Sequence, residues 1–374
     1  MAQGIRQDSL TMLGALRKPL AKVANAILDN ETAENLLYVR TRSKLRKLAK
    51  NQPQDTSLDL VTIVVPIYNV ESYLEVCLLS LATQTYRNIK VIMVDDGSTD
   101  SSGTIAKSFA KEFDNFSLVS KQNGGLGAAR NTGVQAIETT DWLLFTDSDD
   151  LLPRNAVANY VAAAKADHVK LVVGNPIRLM GLKRQSRRPG LYSVDRHRTN
   201  LSEQPEFMSD VTAWNKLISW ELWSKGFAFP ERVLYEDMAV MTKLYLTAGT
   251  FSSVSAPSYL WRVRTGDTKS ITQKRAELRN LNDRIKAIFD TIEVLGKDAK
   301  LLYEYGRVVA THDIGYYLPS VKVTDQQYFD TLQAAAKQIF KATGFNDFGS
   351  LKQQPRTLIP LLLAGDRAGL LASL

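Results

Sequence analysis

Between Leu58 and Phe145, short apolar runs alternate with helical stretches. Val61 to Val65 is β-branched, Val70 to Gln84 has helical spacing, Lys90 to Val94 is a second strand, and Ser101 to Phe113 is helical again. A short strand near Ser117 to Ser120, a helix opening at Gly127 and the apolar run Trp142 to Phe145 continue the series. This alternation predicts an α/β fold, a mostly parallel Rossmann-like sheet flanked by helices. Ligands of such sheets sit beyond the carboxyl ends of the strands. The polar residues fall there: Asn69 after the first strand, Asp95 and Asp96 after the second, and Asp147, Asp149 and Asp150 after Phe145.

The flanks read differently. Leu13, Leu16, Leu20, Val23 and Ile27 recur at the period of one helix face. A second helical segment covers about Thr32 to Leu48, and Asn51 to Ser57, with Pro53, is a linker. Lys170 to Val173 is a further strand, and Arg178 to Arg198, with seven Lys/Arg and one acid, reads as an exposed hairpin or loop facing an anionic acceptor. Helical periodicity dominates from Ala276 to Leu374. The chain therefore divides into a basic amphipathic extension and linker (1–57), an α/β domain (58–273) and a helical carboxyl-terminal region (274–374).

The 374 residues suffice for a large core, and no stretch approaches the roughly 20 apolar residues of a spanning helix. Cys77 is the single cysteine, which excludes an intrachain disulfide and fits a reducing, cytoplasmic compartment. Arg17, Lys18 and Lys22 interrupt any signal-peptide core. Net charge is +8, and residues 1–56 hold ten Lys/Arg against five Asp/Glu. With the Leu13-to-Ile27 stripe, this suits peripheral attachment to an anionic inner membrane face; packing on the carboxyl-terminal helices or on a second subunit is the competing reading. Nucleic-acid binding would rest on charge alone and is not expected. No G-x-G-x-x-G follows the first strand and no P-loop ending follows Gly124 to Gly127, so dinucleotide and P-loop chemistry are excluded.

Asp147-Ser148-Asp149 places two carboxylates one residue apart beyond a buried strand, where both can meet a hard divalent cation carrying a diphosphate. A helix cap or solvated loop is the bland alternative. Asn123, Gly124, Gly125, Leu126 and Gly127 lead, with Arg130, into a helix whose first amides can face phosphate.

Together Val64-Val65-Pro66-Ile67-Tyr68-Asn69, Gln84, the VDDGSTD of 94–100, the NGGLGAARN of 123–131 and the DSDD of 147–150 resemble a family 2 glycosyltransferase of the GT-A fold. Weaker matches follow at Trp214-Asn215-Lys216-Leu217, Gly226-Phe227, Phe229-Pro230, Tyr235-Glu236-Asp237, Trp261-Arg262 and Ser270-Ile271-Thr272. The resemblance covers about Leu58 to Gln273.

It implies that Pro66, Tyr68 and Asp96 hold uridine, with Asp96 accepting from the pyrimidine N3 hydrogen, and that Asn123 and Arg130 lie along the nucleotide and diphosphate. Asn69, Gly124, Ser148, Trp214, Glu236 and Arg262 join the substrate site. Asp149 is then the principal ligand of Mn2+ or Mg2+, Asp147 a second ligand towards ribose and sugar, and Asp237 the catalytic base. In the bland reading Arg130 is a surface helix residue, Asn69 a turn former, and Glu236 with Asp237 a cap.

A sugar hydroxyl is a poor nucleophile, so one carboxylate must take its proton while a cation neutralises the leaving diphosphate. One base and one metal site describe a single inverting displacement. The Gln-x-x-Arg-Trp signature of processive membrane synthases is replaced by Ser258-Tyr259-Leu260-Trp261-Arg262, pointing to non-processive transfer. The resemblance is strongest to bacterial enzymes of capsule, teichoic acid and wall-polymer synthesis. It implies a UDP-sugar donor and an anionic glycan, polyol-phosphate or lipid-linked acceptor. A degenerate domain acting as an adaptor and a nucleotidyltransferase of similar topology are the alternatives; an oligomer is compatible with either.

Overall fold

The computed structural model describes residues 42–50, 54–180, 183–264 and 273–374. The Leu13-to-Ile27 stripe, the start of the segment at Thr32, Arg40, Pro53 and Ser270-Ile271-Thr272 lie outside those residues.

Strand β1 (Val61–Ile67) is buried along its whole length, as a β-branched run in a doubly covered sheet should be. It pairs in parallel with β2 (Ile89–Asp95) and, on its other side, with β4 (Trp142–Phe145), while β3 (Phe116–Ser120) extends the sheet beyond β2. Helices α1 (Glu71–Ala82), α2 (Ser102–Glu112) and α3 (Leu126–Gln135) connect these strands. Helix α1 buries Tyr73, Leu74, Cys77, Leu78 and Leu81, one face at helical spacing. Each such aliphatic contributes roughly 1.5–3 kcal/mol by leaving water.

Helix α4 (Ala156–Asp167) leads into β5 (Leu171–Met180), β6 (Lys183–Ser186), β7 (Arg196–Thr199), β8 (Lys216–Ser219), α5 (Asp237–Ala248) and β9 (Phe251–Arg262). The sheet order is β3-β2-β1-β4-β8-β5-β9-β7, with β6 folded back on β5. β8 runs antiparallel to both β4 and β5, so the sheet is parallel only in its first half and across β5–β9. Beyond Val173 the sequence reading gives only the hairpin or loop of Arg178 to Arg198, where β5 and β6 do pair antiparallel, and names neither β8 nor β9. β8 and β9 escape it because their buried positions include Lys216, Ser252, Ser253 and Ser258, which erase the apolar pattern.

The carboxyl-terminal region is helical as read: α6 (Leu278–Leu295), α7 (Ala299–Val309), α8 (Gln326–Thr343), α9 (Gln353–Ala364) and α10 (Arg367–Ser373). These helices share one core with the sheet, from Val64, Leu143 and Phe145 to Leu332, Ile359 and Leu370. A second core on the opposite face takes α1, α2 and α4.

Residues 42–50 form a helix in which Arg42, Arg46 and Lys50 pair with acids of the sheet domain, while Lys44 and Lys47 are exposed. Arg46 reaches Glu75 at 2.6 Å, also pairs with Glu112, and sits 5.0 Å over the Phe109 ring. Arg42 lies 2.8 Å from Glu75 and Lys50 3.1 Å from Glu112. These three cations of the basic stretch are therefore partnered with acids of α1 and α2. Among the described residues, no helix is long and apolar enough to cross a membrane.

Candidate active site

The loop after β4 is held from β9. The Tyr259 hydroxyl donates to Asp150 Oδ2 at 2.8 Å and accepts from the Asp147 amide at 3.1 Å. The Arg262 amide donates to Asp150 Oδ1 at 2.7 Å, and its Nε donates to the Asp149 carbonyl at 2.8 Å. Arg264 Nε donates to Asp149 Oδ2 at 2.7 Å. Burial, with Asp149 and Asp147 close by, pushes the Asp150 carboxyl well above the usual carboxylate range. Asp147 is also raised by burial, against the pull of Arg130.

Arg130 is the centre of the second half of the site. Helix α3 starts against the Phe229–Pro230 segment, an approach that only glycine permits at position 127, where a Cβ would lie 2.2 Å from the Pro230 carbonyl oxygen. One helical turn later Arg130 is 1% exposed, its guanidinium 5.3 Å from the Phe229 ring. It donates from Nη2 to Asp147 Oδ1 at 2.8 Å and from Nη1 to Glu236 Oε1. Burial opposes its charge, but Asp147, Glu236 and Asp237 outweigh that and raise its pKa further. Burial raises Glu236 to about 7 even with Arg130 in contact. Glu236 is buried, whereas its neighbour Asp237, which opens α5, is half-buried.

At the ends of β1 and β2 lie the remaining residues expected to hold a nucleotide. Pro66 is buried in β1, Tyr68 is 49% exposed, and Asn123 is exposed. Asn69 has φ 49°, a left-handed conformation that asparagine tolerates. Its Oδ1 accepts from the Thr99 amide at 2.8 Å, which ties the β1 end to the loop after β2. Asp96 is 2% exposed; its carboxylate accepts from Lys121 Nζ at 2.8 Å and from the amides of Gly124 at 3.0 Å and Gly125 at 2.8 Å. Asp96 thus orders the glycine loop.

The site brings Asp147, Ser148, Asp149, Arg130, Glu236, Asp237 and Arg262 together around the acid loop. Trp214 lies apart, buried and stacked on Tyr259 at 4.1 Å between ring centroids. The next residues are internal: Lys216 Nζ donates to the Asp210 and Thr212 carbonyls at 3.0 and 2.7 Å and to Asn215 Oδ1 at 2.9 Å. Burial lowers Lys216 to about 8, although Asp210 pulls it up.

Sequence reasoning gave no role to Asp150, Tyr259 or Arg264. Arg264 was findable: it lies two residues after Arg262, just past the end of β9, and both guanidiniums lie over the Tyr73 ring, at 5.2 and 5.5 Å.

A divalent cation fits the chemistry of the acid pair. Asp147 Oδ1 accepts from Arg130 and Asp149 Oδ2 from Arg264, leaving the second carboxylate oxygen of each without a hydrogen-bond donor among the described residues. Two such oxygens suit Mg2+ or Mn2+, which take the rest of their coordination from phosphate and water. Accordingly, no cluster of three or more metal-ligating side chains occurs among the described residues.

Residues 62–224 match the family model of glycosyl transferase family 2. Glycosyltransferase GlyA of Streptococcus pneumoniae is 32% identical over 226 residues, 57% of this chain but only 32% of GlyA. Glycosyltransferase GlyG of the same organism is 25% identical over 292 residues, 68% of this chain and 91% of GlyG. The minor teichoic acid biosynthesis protein GgaA of Bacillus subtilis is 28% identical over 217 residues, 55% of this chain and 47% of GgaA. Among solved structures, S. aureus TarS 1–349 in complex with UDP superposes with a TM-score of 0.66 at 19% identity, covering 84% of this chain and 90% of that one. Its complex with UDP-GlcNAc gives 0.56 at 18% identity over the same shares. That likeness is one of fold, the GT-A architecture. The match to glycosyl transferase family 2 thus covers the sheet domain, residues 62–224, and the likeness in fold extends over 84% of the chain.

Proposed function

We propose that this chain is an inverting, metal-dependent, non-processive glycosyltransferase that moves a sugar from a UDP-sugar to a hydroxyl of a teichoic acid, another cell-surface glycan or a lipid-linked acceptor. One observation carries the reading: Arg130 draws together Asp147 of the acid loop and Glu236, the neighbour of Asp237, although they lie 17 and 106 residues away. One buried cation thereby links the acid loop, read as the cation site, to the segment that carries the half-buried Asp237.

Asp149, with Asp147, would hold Mn2+ or Mg2+, and a cation there neutralises charge on the departing diphosphate. Pro66, Tyr68 and Asp96 take the uridine, Asp96 both through its own edge and by ordering the loop of Asn123 and Gly124. Asp237 removes the acceptor proton. It is the better placed of the two acids because Glu236 is buried on Arg130. Arg130 is a positioning residue. TarS binds UDP and UDP-GlcNAc, which makes uridine the first nucleotide to test, and the name of GgaA directs the acceptor towards teichoic acid.

The test is UDP release from a panel of UDP-sugars with manganese, magnesium or chelator, followed by NMR of the product's anomeric configuration. Metal-dependent release with an inverted product is expected. Release unaffected by chelator, or a retained configuration, would refute the mechanism.

The same reading puts the chain at the cytoplasmic face of a membrane, held by the apolar stripe of Leu13 to Ile27. Flotation of the full chain with anionic but not neutral vesicles is the expected result, and absence from both vesicle fractions counts against attachment.

A further inference from the structure

Within the basic segment of Arg178 to Arg198, Lys183 and Arg184 are exposed on the hairpin of β5 and β6, as expected, but Arg178, Arg187 and Arg188 are half-buried. Arg178 and Arg187 stand on the same indole, each guanidinium 5.0 Å from the Trp261 ring, and Arg187 is also 5.7 Å from Trp214. Arg188 gives both terminal nitrogens to Ser209. Nε of Arg178, Nη1 of Arg187 and Nε of Arg188 are buried and have no hydrogen-bond partner among the described residues. Two like charges on one ring, with orphaned donors, are poorly satisfied by the protein itself.

The nearby acid does not balance them. Asp210 is the carboxylate that acts on Arg187, and it already accepts from Tyr192, from Asn215 Nδ2 at 2.9 Å and from Thr212 at 2.9 Å, with Lys216 Nζ at 3.6 Å. His312, from the helical region, faces the same cations. It is held neutral by burial and then by Arg188, Arg187, Lys352 and Arg307, which push its pKa down to about 3. Only part of the His312 ring is desolvated: the residue is exposed, as is Tyr316, four residues on. Arg178, Arg187 and Arg188 therefore form a half-buried cluster of strongly positive potential, with the exposed His312 and Tyr316 beside it.

Its position in the sheet matters. The nucleotide residues are at the ends of β1 and β2, and the acid loop follows β4, whereas Trp261 and Arg178 are on β9 and β5, across β4 and β8. Trp261 directly precedes Arg262, which holds the acid loop, and Trp214 stacks on Tyr259, which does the same. The cationic cluster thus borders the acid loop on the side away from the nucleotide residues.

We propose that Arg178, Arg187 and Arg188 form a subsite for a phosphate group of the acceptor, a phosphodiester or diphosphate seated next to the hydroxyl that receives the sugar. This rests on the transferase reading above. Phosphate oxygens match the planar donor forks of arginine and supply the partners that the three guanidiniums lack. A polyol-phosphate polymer and a prenyl-diphosphate-linked glycan both offer that chemistry.

The test measures binding on the full chain at low salt, by calorimetry and tryptophan emission. The probes are a soluble glycerol-phosphate oligomer, a short-prenyl diphosphate disaccharide and a neutral oligosaccharide of equal length. One or both anionic probes should bind wild type, weaken at least tenfold with 0.3 M salt or in Arg178→Gln/Arg187→Gln, and outcompete the neutral probe. Binding of the oligomer alone identifies a polymer acceptor, and of the prenyl diphosphate alone a lipid-linked one. Equal binding of neutral and anionic probes to wild type, or no anionic binding, overturns the subsite without any variant. Equal anionic affinity in a double variant that keeps the wild-type melting temperature overturns it too. UDP binding is titrated in parallel, so failure of the donor reading shows separately from failure of the subsite.

Discussion

Tyr235 and Asn280 are joined by a 2.8 Å hydrogen bond from the tyrosine hydroxyl to the asparagine Oδ1. The Tyr317 hydroxyl lies 2.6 Å from the same oxygen and 2.9 Å from that of Tyr235. Arg284, paired with Asp313, lies 4.6 Å over the Tyr235 ring. Tyr235 has φ 63°, a left-handed conformation that a bulky residue keeps only when its surroundings impose it. The next two residues are Glu236 and Asp237. Helical elements beyond residues 62–224, the extent of the family match, therefore fix the turn that carries the proposed base.

From this relationship, Tyr235→Phe should lose about 1–2 kcal/mol of stability, because Asn280 and Tyr317 forfeit a shared partner. Its kcat should fall about tenfold with the UDP-sugar KM unchanged, since a displaced base affects the chemical step more than donor binding. Thermal unfolding and steady-state kinetics read the two effects. A stability loss with wild-type kcat would separate the hydroxyl cluster from catalysis.

Asp237→Asn should retain UDP-sugar affinity and lose roughly 10²–10⁴-fold in turnover, as expected for removal of a general base. Calorimetry against the donor, beside single-turnover rates, makes the comparison. Joint loss of affinity and rate would reassign Asp237 to donor binding.

Asp149→Asn and Asp147→Asn should each abolish metal-stimulated UDP release while shifting the melting temperature little, because an amide keeps the volume and one oxygen for Arg264 or Arg130. Retention of wild-type manganese dependence in Asp149→Asn would contradict its role as principal ligand.

The first half of the sheet is legible because β1, β2 and β4 are continuous apolar runs, and the acid loop because Asp147 and Asp149 follow such a run directly. The second half is not. Lys216 is 0% exposed inside β8, and the Asp210 and Thr212 carbonyls, Asn215 Oδ1 and the nearby Asp210 carboxylate explain how a lysine can occupy a core strand. Arg130 was expected along the diphosphate or on the helix surface. Its burial between acids from two distant segments is a tertiary fact that no local pattern encodes. The basic stretch was legible as charge, but the indoles beneath Arg178 and Arg187 come from β9 and the segment before β8. The pairing of Arg42, Arg46 and Lys50 likewise depends on Glu75 and Glu112, which the fold brings beside them.

Glu236 supplies a test in pH. Its ordinary value is 4.5 and burial raises it to about 7 in the folded chain. Between those values the native state holds a proton that the unfolded chain has released, so its contribution to stability is full at low pH, declines as pH rises through the window and levels off above about 7. Glu236→Gln carries no such proton. The melting temperature of wild type minus that of Glu236→Gln should therefore fall between about pH 5 and about pH 8. Arg130→Met removes the cation that holds Glu236 and Asp147 down and should cost roughly 3–5 kcal/mol at neutral pH, less in acid where both carboxyls are protonated. A wild-type-minus-Gln difference that stays constant or rises with pH would mean that Arg130 keeps Glu236 ionised throughout. In that case Arg130 would carry two ionised partners, Asp147 and Glu236, over the whole range.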